Sequence, residues 1–167
     1  MGGHSAYPHL PSSGDCMTAD NASFLLIKPL VFAIAALPMV VDNLRTGRIT
    51  NTNNAILFLA GLGVLALEPL IGGADFHLPP ASLWLLVAVI PFVFFALGWI
   101  GGGAAKFLIA LLPWFSAGEY LSVAAAGLVL SSVIAKALRR PDAQIAPPTV
   151  MIGLVAQAAA IAASGQH

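Results

Sequence analysis

Charge is the scarcest property of this chain: seven Lys and Arg and seven Asp and Glu make up 8% of 167 residues, against roughly 25% in ordinary soluble domains. So few charges cannot cover a water-facing surface. The single cysteine, Cys16, excludes an intramolecular disulfide and a multi-cysteine zinc site. The four histidines, His4, His9, His77 and His167, lack ligand spacing, so neither a metal nor another cofactor is expected. No basic run extends beyond Arg139-Arg140 and the formal net charge is zero, which excludes nucleic acid as a partner. No repeat of fixed period is visible, and no Gly/Pro-broken pair of helices occupies corresponding halves, which weakens a transporter reading.

What the chain has is hydrophobic length. The apolar fraction is 59% and the mean hydropathy +0.91, enough for about five or six spans of roughly 20 residues. The expected fold is all-α, a polytopic membrane helix bundle of about six transmembrane helices. Residues 1–22 are rich in Pro, Ser, Gly and Asp and carry no Lys or Arg, reading as a flexible polar tail. Residues 23–164 form the membrane domain and 165–167 a short C-terminal tail. The first apolar run lacks a basic n-region before it and a small-residue cleavage site after it, and is kept as a membrane helix.

Apolar runs occupy 24–41, 54–71, 82–100, 104–115, 118–137 and 149–163, with polar or Gly/Pro breaks between them. The fourth, twelve residues long, would span only about 18 Å at 1.5 Å per residue. It must be short and tilted, or be extended by Gly101 to Gly103. If the runs alternate, Arg45, Arg48, Lys106, Lys136, Arg139 and Arg140 share one side, leaving Lys28 near the other. The basic side is expected to be cytoplasmic, with both termini outside. Asp15, Asp20, Asp75 and Glu119 fall on the outer side, and Glu68 lies near the outer end of the second run.

Two stretches carry the chemistry. Asp42 follows the apolar residues 30–41 without a polar spacer, and an ionisable group so close to hydrocarbon is a functional candidate. It could equally cap the next element, or pair with Arg45 one helical turn on. Gly101-Gly102-Gly103-Ala104-Ala105-Lys106 begins a later segment; such glycines also serve close helix packing or break a helix.

Taken in order, the two stretches resemble the catalytic motifs of type IV prepilin peptidases, membrane aspartic proteases of the bacterial inner membrane. Asp42, Arg45, Ile49 and Asn51 match the first motif, D-x-x-R-x-x-x-I-x-N, with Arg48 inside it and Thr50 where the family usually has Pro. Gly101, Gly103 and Lys106 match the second, G-x-G-D followed closely by Lys, with Gly102 between the glycines. Ala104 stands where the family has its second Asp. Pro147-Pro148 resembles the entry to the family's last helix, although Pro-Thr-Val replaces the usual Tyr-Gly. The resemblance covers residues 24–163 and is nearest the short branch associated with tight-adherence pili.

The resemblance implies cleavage of pilin-type leader peptides at the cytoplasmic face, with a pilin-like precursor and membrane lipid as partners. Some family members also methylate the new amino terminus with S-adenosylmethionine; no methyl-donor pocket is recognisable here. Aspartic proteases use two carboxylates sharing one proton, so with Ala104 the site is expected to be inactive as written. Asp142 is the other acid on the basic side, in an arginine-flanked loop suited to a surface pair. A deliberate replacement and a natural non-catalytic homologue both fit Ala104. The alternative function is a non-catalytic scaffold or pilus-assembly accessory that binds pilin-like helices, for which the small residues at 124–127 would suit docking.

Overall fold

The computed structural model describes residues 19–71, 81–137 and 145–164. Most of the expected tail, Cys16, the four histidines, Asp15, Asp75, Arg139, Arg140, Asp142 and the last three residues lie outside the described residues. All described secondary structure is helical: α1 (Ala19–Thr46), α2 (Asn51–Ile71), α3 (Ala81–Ala96), α4 (Gly102–Ala110), a 3-10 turn (Leu112–Trp114), α5 (Ala117–Ala137) and α6 (Ala146–Ser164). The chain is an all-α membrane helix bundle. Its first helix begins at Ala19, within the stretch expected to be a tail.

Among the described residues, four helices are long and apolar enough to cross a membrane: α1, α2, α5 and α6. The six expected helices are all present, and four of them reach that length. Helices α3 and α4 are shorter, and α4 with the following turn runs only from Gly102 to Trp114. Pro113, within the 3-10 turn, cannot donate a backbone N–H, and the chain turns extended at Phe115. The extension of the fourth run by Gly102 and Gly103 is realised, since both lie in the first turn of α4.

The outer surface explains why the bundle belongs in lipid. Leu37, Leu59, Leu70, Leu86, Phe92, Val129, Met151 and Val155 are all exposed, on helices whose backbone groups are satisfied internally, as hydrocarbon demands. In water such a surface would drive aggregation. Lipid makes it the ordinary outside.

Lipid tails give no hydrophobic drive for helices to pair, so close packing must hold them. Helix α1 packs on α2 and α6, α6 on α5, α5 on α3, α3 on α4, and α4 on α2, which closes a ring. The 3-10 turn packs against α2 and α5. There Trp114, buried, donates from Nε1 to the Leu57 carbonyl at 3.0 Å, and the Phe32 ring meets Trp114 and Phe115 edge-on at 5.1 and 5.7 Å.

The α5–α6 contact depends on a missing side chain. A Cβ placed on Gly127 would collide with Thr149 Oγ1, and Thr149 is wholly buried with its hydroxyl donating to the Ile145 carbonyl at 2.7 Å. Gly127→Ala is therefore expected to destabilise the bundle by about 1–3 kcal/mol through overpacking. Thermal unfolding in detergent checks this, and adding Thr149→Ala should recover part of the loss. An unchanged unfolding temperature in the single variant would mean that α5 and α6 are not this close.

Candidate functional site

The first motif is a helix end, a tight turn and a helix start. Helix α1 runs past its apolar stretch to Thr46, whose hydroxyl donates to the Asp42 carbonyl at 2.8 Å. Gly47 then takes φ +67, and its N–H donates to the Asn43 carbonyl at 2.9 Å. This is a left-handed glycine terminus. Three residues on, Thr50 accepts the Asn53 N–H on its hydroxyl at 3.3 Å, the N-cap bond that opens α2. The residue departing from the family pattern thus has a structural use, because Pro could not supply that side-chain oxygen.

The second motif is a turn into α4. Gly98 adopts φ +72 and the Trp99 N–H donates to the Phe94 carbonyl, ending α3 before the apolar run ends. Of the three glycines only Gly101 is non-helical, with φ −73 and ψ 158. Its carbonyl accepts the Ala105 N–H at 3.0 Å.

These two stretches meet at one end of the ring. Lys106 Nζ donates to Asn51 Oδ1 at 2.9 Å, and a Cβ on Gly103 would lie 3.7 Å from the Ile49 side chain and carbonyl oxygen. Between them opens a cleft of about 760 Å³, with Asn43, Arg48, Gly101, Gly103, Ala104 and Ser131 among its walls. Ala104 is half-buried in that wall. The partner of Lys106 is thus an amide of the first motif and not an acid. That bond is exposed, so Lys106→Met is expected to cost only about 0.5–1.5 kcal/mol. A larger drop in detergent unfolding temperature than Gly127→Ala produces would contradict this ranking.

Asp42 departs from expectation. It is half-buried and accepts the Asn53 Nδ2 donor at 2.6 Å on Oδ2, and it is not among the residues walling the cleft. A carboxylate at the end of α1 reaches the first turn of α2 directly across the short 47–50 connection, and the Asn53 amide draws it there. The alternative pairing with Arg45 is absent: the one ion pair among the described residues joins Lys28 and Glu68. Arg45 and Arg48 are exposed. The next residue, Asn43, does face the cleft, buried and accepting the Ala146 N–H on Oδ1 at 3.4 Å, and so ties α1 to the start of α6.

Asn43, Asn53, Ser131 and Ser132 belong to this end of the bundle and were not singled out by motif. Their signal in the sequence is modest: amides beside Asp42 and Asn51, and a serine pair inside an apolar run. Asn54, buried, has no hydrogen-bond partner on either amide atom. Among the described residues no group of three His, Cys, Asp or Glu could hold a metal. Chemically, the cleft offers an amide, hydroxyls and Arg48, and among the described residues no carboxylate in its wall. It can hold a polypeptide by hydrogen bonds, and the described residues give it no pair of acids to share a proton.

No family model, curated protein or solved structure matches the chain.

Proposed function

We propose that this chain is a prepilin-peptidase-like protein of the bacterial inner membrane, built to receive the leader of a pilin-type precursor at its cytoplasmic face and inactive as written. The carrying observation is the meeting of the two motif stretches around one cleft, with position 104 in its wall. In the family, position 104 supplies the second acid. Here Ala104 supplies only a methyl group, so a docked leader would be held without cleavage.

Charge supports the orientation. Arg45, Arg48 and Lys106 lie at the cleft end and Lys136 in the last turn of α5, while Lys28 lies roughly 25 Å along α1 from Thr46 at about 1.5 Å per residue. Basic residues favour the cytoplasmic side. The second reading, a non-catalytic pilus-assembly accessory, is favoured by the turning of Asp42 toward Asn53 and away from the cleft.

Docking is tested by placing a photo-crosslinking residue at position 104 in the full chain, co-expressed with a pilin-type precursor. The expected product is an adduct with uncleaved precursor, absent when the crosslinker replaces lipid-facing Leu86. Equal adducts at both positions, or none at 104, would remove the cleft as the docking site.

A further inference from the structure

At the opposite end of the bundle lies a second, half-open cavity, of about 160 Å³, walled by Lys28, Glu68, Trp114, Glu119, Gln157 and Ala160 among others. Lys28 Nζ pairs with Glu68 Oε1 at 2.8 Å. Glu119 accepts the Ser116 N–H on Oε2 at 2.9 Å. Trp114 has its N–H on the Leu57 carbonyl, which leaves its ring as wall.

Gln157 is the anomaly. It is 7% exposed and lines the chamber, yet neither Nε2 nor Oε1 has a hydrogen-bond partner. Buried side-chain amides are ordinarily satisfied, and this one sits on a helix that packs in lipid. Something polar must meet it.

We propose that this chamber binds a primary ammonium group, carried by an ethanolamine lipid headgroup or by a free small amine. Three helices bring oxygen-bearing side chains to its wall: Glu68 from α2, Glu119 from α5 and Gln157 from α6. An ammonium has three N–H donors and no acceptor, which suits a wall with two carboxylates to one ammonium. With one ammonium and two carboxylates, the side chains at the wall carry a formal net charge of minus one, so a cation is the favoured occupant. Lys28, paired with Glu68, leaves the Glu119 charge unbalanced.

Size and depth agree. The volume holds about five waters at roughly 30 Å³ each, the scale of an ethanolamine head and too small for a folded peptide. Lys28 and Glu68 stand about 25 Å along α1 and α2 from the cleft end, near the far edge of a hydrocarbon slab about 30 Å thick. Headgroups lie at that level.

The test uses the full chain in detergent and in lipid nanodiscs. Ethanolamine should raise the unfolding temperature saturably while choline, with the same charge but no N–H donors, should not. Gln157→Leu should weaken the ethanolamine response about tenfold, the loss of a hydrogen bond to a charged group, and Ala160→Leu should abolish it by filling the space. A response to phosphatidylethanolamine nanodiscs over phosphatidylcholine alone assigns the headgroup as source; a response to free ethanolamine as well shows that the amine suffices. Equal shifts with choline and ethanolamine, no shift with either amine or lipid, or full shifts retained in Gln157→Leu would overturn the proposal. If Gln157→Leu fails to fold, the choline comparison on the unaltered chain still decides.

Discussion

Ala104→Asp is expected to turn a chain that leaves a pilin-type precursor intact into one that cleaves it, with a gain of at least about a thousandfold, because members of a catalytic pair act as a unit. Two carboxylates sharing a proton let one activate water while the other polarises the scissile carbonyl. Position 104 faces the cleft, half-buried, and a carboxylate there has room in about 760 Å³. The cost lies at Asp42, which must leave Asn53 Nδ2, 2.6 Å away. A hydrogen bond to a charged group contributes about 1.5–3 kcal/mol, which lowers the gain by one to two orders of magnitude without cancelling it.

The second large effect is structural. Trp114→Ala is expected to destabilise the bundle by about 3–5 kcal/mol, the range for deleting a large buried aromatic. Trp114 is 1% exposed, donates to the Leu57 carbonyl and meets Phe32 edge-on. Gly61 leaves it space, since a Cβ there would lie 2.7 Å from Trp114 Nε1. Trp114→Phe keeps most of the ring and loses the N–H, and should cost less. Thermal unfolding in detergent measures both. A Trp114→Ala loss no larger than that of lipid-facing Leu86→Ala would show that the 3-10 turn does not anchor the ring.

Hydropathy alone locates all six helices, because apolar length is what lipid requires of each. It misplaces ends where backbone geometry decides. Helix α1 continues through Asp42 to Thr46 because Gly47 terminates it, and α3 stops at Ala96 because Gly98 turns the chain, although Leu97, Trp99 and Ile100 are as apolar as the helix before them. Length separates α3 and α4 from the other four, as the twelve-residue fourth run already signals.

Within the candidate site, the motif order anticipates that Asn51 and Lys106 lie at one end. The Asp42–Asn53 bond was not legible, because it depends on the rotation of α2 about its axis, which the Thr50 cap sets. Gln157 did carry a signal: a polar residue in the middle of an apolar run is expensive in a membrane. The chamber around it assembles from four segments distant in the chain, and only the fold brings them together.

The proposed function requires that positions 42 and 104 form one aspartic-protease site with the second acid missing. Its most direct measurement is the gel mobility of a cognate pilin-type precursor co-expressed with this chain, with Ala104→Asp, and with Ala104→Asp combined with Asp42→Ala. The account predicts a shift to the mature form with Ala104→Asp alone. Cleavage by the unaltered chain that survives Asp42→Ala, or an inert Ala104→Asp variant that is folded and crosslinks the precursor, would contradict it.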